Sequence, residues 1–177
     1  TGKRDNVYYG DMLQLGTTGG SGNGAVNWTA TGPVTKLSDG QFKITNSGSV
    51  TITATKAASG NYAATSDTWT FYANPKPVTA TVMAEDKTYD GGTSARLTVT
   101  INSGLVSGDF VTTVQATGHF TDANVGQNKT VIIDSLTIPD GVSEKYDISY
   151  NVTATASITP KAATVNRTGG SNRCPNL

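Results

Sequence analysis

The chain has 177 residues, its 13 basic and 13 acidic side chains cancel, and its charged fraction of 15% lies well below the usual level of about 25%. The balance removes the basic footprint that nucleic-acid or anionic-membrane binding needs. No run approaches the roughly 18 apolar residues of a spanning helix. What fills the chain is small uncharged polar residue: 30 Thr, 14 Ser and 13 Asn. Threonine is β-branched and suits a half-buried pleated surface, so the excess reads as strand. Cys174 is the one cysteine, so no internal disulfide forms. The abrupt start at Thr1-Gly2-Lys3 and the equally abrupt end read as those of a fragment.

Strand signals recur in chain order at the spacing of an all-β protein. In the first half they are Val26–Ala30, Phe42–Thr45, Ser49–Thr55 and Thr68–Ala73. The third is a strict period-two run with Val50, Ile52 and Ala54 on one face and threonines on the other. Turn chemistry separates them at residues 19–24, 39–40, 46–48 and 59–61. The second half continues with Val78–Met83, Leu97–Ile101, Phe110–Val114, Ala116–Thr121, Lys129–Ile133 and one long run from Tyr146 to Ile158. No capped i, i+3, i+4 stripe appears, and only residues 103–108 offer one helical turn. Alternation places Trp28, Ile44, Val50, Ile52 and Trp69 in one core. It places Val82, Leu97, Val99, Val114, Val131, Ile133, Ile148 and Val152 in another.

Asn74-Pro75-Lys76-Pro77 echoes Thr159-Pro160-Lys161-Ala162, each directly after a threonine-rich strand. Proline cannot donate to a ladder and marks a strand end. The expectation is two consecutive small β-sandwich domains set end to end, residues 1–76 and 77–165, with a third module following in a longer chain. Residues 166–177 read as a tail, disordered or added for expression. Two prolines in four residues bias Asn74, Pro75, Lys76 and Pro77 toward extended geometry, so this joint reads as a semi-rigid strut.

Candidate chemistry is sparse. Gly20-Ser21-Gly22-Asn23-Gly24-Ala25 has dinucleotide-fingerprint spacing but runs into a strand, where phosphate binding needs a helix N-terminus. Asp122-Ala123-Asn124-Val125-Gly126 opens like a calcium loop and lacks its later ligands. His119, the sole histidine, sits in an alternating strand and reads as solvent-facing. Carboxylates are plentiful between Glu85 and Asp147, and no spacing singles out a pair. A Lys–Asn cross-link through a buried carboxylate is a further possibility for which no trio is selected. The rings of Tyr8 and Tyr9 point oppositely, so one of them is expected to be exposed.

The stretch Glu85-Asp86-Lys87-Thr88-Tyr89-Asp90-Gly91-Gly92-Thr93 resembles the signature of the YDG domain, a repeat of large bacterial surface proteins. The resemblance continues through Gly108-Asp109-Phe110-Val111, residues 116–120 and 123–131, and Ala156-Ser157-Ile158-Thr159-Pro160-Lys161. Glu144-Lys145-Tyr146-Asp147 departs from it, where such repeats often have Gly-Asn-Tyr; only the Tyr is kept. Tyr9-Gly10-Asp11, Trp28 and residues 54–62 are similar to bacterial Ig-like repeats. These resemblances imply Ig-like sandwiches, with a β-grasp-like arrangement as the alternative for the second domain. They imply extracellular, non-catalytic modules without cofactor or metal. From the residues themselves, Asp90-Gly91-Gly92 reads as a turn and Tyr89 as a buried ring bonding backbone.

The functional expectation is a structural and adhesive stalk segment of a cell-surface protein. Its partners would be neighbouring repeats of the same chain, and host or matrix glycans or proteins; nucleic acid and direct membrane insertion are not expected. The alternative is a carbohydrate-binding module that uses its tyrosines and tryptophans as stacking platforms.

Overall fold

The computed structural model describes residues 2–111 and 114–165. Cys174 and the tail expected over 166–177 lie outside these residues. Thirteen strands and no helix make up the described chain: β1 Met12–Gln14, β2 Val26–Thr31, β3 Val34–Ser38, β4 Gln41–Ile44, β5 Gly48–Lys56, β6 Thr65–Ala73, β7 Lys76–Ala84, β8 Lys87–Thr88, β9 Leu97–Ser103, β10 Gln115–Phe120, β11 Gly126–Thr137, β12 Tyr146–Tyr150 and β13 Thr153–Thr159. They form four small sheets, ordered β1-β4-β3, β2-β5-β6, β12-β7-β9 and β10-β11-β13-β8. No sheet mixes strands from before and after Asn74.

The threonine excess has a structural home. Across β2-β5-β6 the antiparallel register aligns Thr29, Thr53 and Thr68 in one row and Thr31, Thr51 and Thr70 in the next. Hydroxyls bond across strands at 3.1 Å (Thr53–Thr68) and 3.0 Å (Thr51–Thr70). Such rows stabilise a solvated sheet face through cross-strand pairs. The other face buries Val50, Ile52 and Ala54. Strands of both N-terminal sheets meet in one core, where Leu13, Phe42 and Ile44 join Val50, Ile52 and Ala73, with Trp28 and Trp69 half-buried against them. In the C-terminal half, Phe120, Val131, Ala156 and Ile158 form one cluster. Val78, Ala80, Tyr146 and Ile148 form another, which also takes in Tyr9 from the N-terminal half.

Several expectations need correction. The run Tyr146–Ile158 is two strands, because Asn151 ends the first. Its side-chain amide accepts from Val82 N–H (2.8 Å) and donates to Val82 O (2.9 Å), so a side chain supplies the rung that backbone would otherwise make. The alternation keeps its phase on both sides, with Tyr146 and Ile148 buried before the break and Ala156 and Ile158 after it, but Val152 falls in the break itself and is 67% exposed rather than in the core. Phe110 and Val111 are not in a strand, and Phe110 lies open to solvent. Residues 103–108 form no helical turn; Asp109 N–H bonds Val106 O in a tight turn. The strands β1, β3 and β8 were not expected, nor was the burial of Phe42 and Phe120.

Phe42 and Phe120 are fully buried in separate clusters. Phe42→Ala and Phe120→Ala are each expected to cost about 3–5 kcal/mol in denaturant unfolding. Val152→Asp should stay within about 0.5 kcal/mol of the parent.

Candidate functional site

The densest side-chain cluster joins the two halves. Tyr8 to Asp11 form a tight turn: Asp11 N–H bonds Tyr8 O, and the Asp11 carboxylate accepts from Tyr8 N–H at 3.0 Å. Gly10 takes the left-handed position at φ +81°, as the third residue of a type II turn requires. A Cβ on Gly10 would collide with Val106 of the C-terminal half. The turn thus pushes the Tyr9 ring out of its own half and lets the neighbouring loop close over it.

Tyr9 is 6% exposed and meets Tyr146 edge-to-face, with ring centres 5.3 Å apart. Both hydroxyls donate to the same atom, Asp109 Oδ2, at 2.6 Å from Tyr9 and 2.7 Å from Tyr146. Tyr146 Oη in turn accepts from Val106 N–H at 2.8 Å. The Lys145 ammonium lies 5.3 Å above the Tyr9 ring centre, a cation–π contact. Next to it, Asn46 donates to the Glu144 carboxylate at 2.7 Å and Ser47 N–H to Glu144 O. Of the adjacent pair, Tyr9 is buried and Tyr8 half-buried against Asn74, so neither stands fully in solvent.

The electrostatics follow from this packing. Burial acts to raise Asp109, but the two tyrosine hydroxyls and the nearby Lys145 and Lys43 charges outweigh it and hold the carboxyl below its usual range. Burial first, then the Asp109 hydrogen bond, pushes Tyr146 up to about 12 and Tyr9 well above the ordinary tyrosine range.

The joint itself is stitched to both halves. Asn74 N–H bonds Val7 O and Asn74 O accepts from Tyr9 N–H, while Lys76 N–H bonds Lys145 O at 2.7 Å. Pro75 lies between them. Pro77 enters β7 beside Asp147 of β12, before the β9 ladder begins at Thr79, where its missing N–H costs nothing.

At the other end of the C-terminal half, Asp90 Oδ1 accepts from Gly92 N–H at 2.9 Å and Gly91 has φ +83°, so the expected turn is present. Tyr89 does not bury its ring; it is 42% exposed, and its backbone N–H bonds Thr159 O. The organising group is Lys87, whose ammonium meets Asp90 (2.7 Å), Gly92 O (3.0 Å) and Ser94 O (3.2 Å) and lies 5.9 Å from the Phe120 ring centre. Lys87 and the Gly92 N–H together hold the Asp90 carboxyl below its usual range.

Other sequence candidates are dispersed. Residues 20–25 run into β2, and the Asp122 side chain turns back onto Asn124 N–H (2.8 Å) and Lys129 (2.6 Å). His119 is partly exposed and pairs with Asp134 at 2.9 Å. Among the described residues no three His, Cys, Asp or Glu side chains converge on a metal position. No polar or charged residue among them is buried, so no interior Lys–Asn–carboxylate trio is assembled. A cleft of about 180 Å³ opens beside Trp28 and Trp69, with Lys3, Thr17, Thr18 and Asp67 at its rim. Lys3 and Asp67 bridge there at 2.9 Å.

Asp109→Asn removes the charge that both hydroxyls address. A hydrogen bond to an ionised group contributes about 1.5–3 kcal/mol, so a loss of about 2–3 kcal/mol is expected. Because the folded pKa of Asp109 is depressed, its contribution is complete above the unfolded value of about 3.9 and fades as pH falls through the folded one. The raised tyrosines act oppositely: theirs is complete below about pH 10 and fades as pH rises toward the folded values. Ultraviolet titration should therefore find two late-titrating tyrosines that return toward the ordinary range in the variant.

No curated protein and no solved structure matches this chain. A family model does match, the YDG domain over residues 74–156. The matched stretch takes in Asn74, the Lys87–Gly92 motif, Asp109 and Tyr146 but not Tyr9. The expected bounds of this domain were 77 and 165, three residues later at the start and nine later at the end than the matched stretch. The chain carries a YDG domain at residues 74–156.

Proposed function

We propose that the chain is a non-catalytic structural and adhesive segment, a stalk or spacer in a bacterial cell-surface protein. On this reading its two halves are Ig-like sandwiches stacked end to end and displayed outside the cell. The observation that carries it is the Tyr9–Asp109–Tyr146 cluster. Its aromatic and charged groups, which an enzyme would hold open to substrate, are turned toward each other across the joint. The threonine rows on β2-β5-β6 fit the same reading, since they cover a solvated sheet without charge. The partners on this account are neighbouring repeats of the same chain, with host or matrix ligands contacted elsewhere along the stalk.

A second reading, a carbohydrate-binding module, has one observation in its favour. The cleft lined by Trp28 and Trp69 also holds Lys3, Thr17 and Asp67, the mixture of aromatic and polar groups that sugar recognition uses. A glycan-array hit abolished by Trp69→Ala would establish it over the stalk reading.

The stalk reading predicts shape. A compact chain of this length has a radius of gyration of about 16 Å, and two stacked domains of about 85 residues exceed about 20 Å. Small-angle scattering on the monomer should give the larger value with an elongated distance distribution. A value near 16 Å would mean side-by-side packing and remove the reading.

A further inference from the structure

The two strand exits of this chain are built alike. After β6, Asn74 N–H bonds Val7 O (2.8 Å), its side-chain amide reaches the same oxygen (3.4 Å), and its own carbonyl accepts from Tyr9 N–H (2.9 Å). At the end of β13, Thr159 pairs in parallel with Thr88, its hydroxyl reaches Lys87 O (3.3 Å), and its carbonyl accepts from Tyr89 N–H (2.8 Å). Asn74 likewise pairs in parallel with Tyr8. Each exit continues as Pro-Lys, at Pro75-Lys76 and Pro160-Lys161. Rung for rung, Tyr89 holds the place of Tyr9.

Their surroundings differ in one respect. Tyr9 is 6% exposed because the domain that follows it closes over the ring with Asp109, Tyr146 and Val106. Tyr89 is 42% exposed. We propose that Tyr89 is the docking plug for a further YDG-type domain entered through Thr159-Pro160-Lys161, whose Asp109 and Tyr146 equivalents receive its ring and hydroxyl. The equivalence ends after the tyrosine. The left-handed glycine follows Tyr9 at once, as Gly10, but follows Tyr89 one residue later, as Gly91. Asp90 stands between, its carboxylate drawn back onto Gly92 N–H and Lys87. The receiving loop must therefore clear Asp90 where Val106 here meets a bare glycine.

This inference rests on the stacked-domain reading, and the test separates the two. A second copy of residues 75–165 is joined directly after Thr159 of the full chain, with Tyr89→Phe in the appended copy so that one Tyr89 remains to be mapped. A parallel version carries Val106→Ala in the appended copy, which opens the space opposite Asp90. Nitration by tetranitromethane is read by peptide mapping, with exposed Tyr62 and Tyr72 as internal references. Docking should slow nitration of Tyr89 by at least about tenfold in one or both versions, as expected for a side chain that becomes reachable only on local opening. Unchanged reactivity in both versions, in chains that scattering shows to have lengthened by a domain, overturns the plug and leaves the stalk standing. Chains that do not lengthen overturn both.

Discussion

The Asp109 carboxylate receives two tyrosine hydroxyls on one oxygen, from Tyr9, 100 residues upstream, and from Tyr146, 37 residues downstream. A carboxylate in a partly closed site stays ionised only if donors and positive charge replace the water it loses. Here the two phenols replace water, and Lys145 and Lys43 supply the charge. The same arrangement satisfies the phenols, which are otherwise costly to enclose. Each partner therefore makes the burial of the others tolerable. Removing any one leaves a polar group in a closed space.

That constraint reaches outward in both directions. For Tyr9 to leave its own half, the Tyr8–Asp11 turn needs a left-handed residue without a side chain, and Gly10 meets both demands. For Tyr146 to face the N-terminal half, β12 must run parallel beside β7, which carries on directly from Asn74 and Pro75. The residues beside Tyr146 belong to the same surface: Glu144 takes Asn46 and Ser47, and Lys145 covers the Tyr9 ring and binds Lys76. Three successive residues thus face the neighbouring half. Glu144 and Lys145 stand where the chain departs from the YDG resemblance, while Tyr146 keeps to it.

Much of the β structure was legible because burial of a single face writes itself as alternation. In the middle of β5 Val50, Ile52 and Ala54 alternate with threonines, of which Thr51 and Thr53 pair with threonines on both sides, so local sequence sufficed. The short strands β1 and β3 escaped notice because three residues hold one buried side chain, Leu13, and β3 exposes four of its five. Val152 was misplaced for a different reason. Asn151 replaces a backbone rung with a side-chain amide and the chain passes to another sheet, so Val152 has the right parity but lies outside either strand, a break that period-two counting cannot see. Of the site, the Asp90–Gly92 turn was legible from its own chemistry, while the role of Lys87 depends on carbonyls and a ring brought in by folding. Tyr9, Asp109 and Tyr146 carried no local mark of partnership. The one available hint was the Glu144-Lys145 departure, which reads as surface until the partner half is seen.

The central claim is that this cluster holds the two halves as one body, and residual dipolar couplings measure that directly. In weakly aligned solution, backbone couplings from residues 2–73 and from residues 76–159 should fit a single alignment tensor. In Asp109→Asn the two sets should separate, with unequal magnitudes and axes. Two distinct tensors in the unaltered chain would show the halves reorienting freely and would contradict the account.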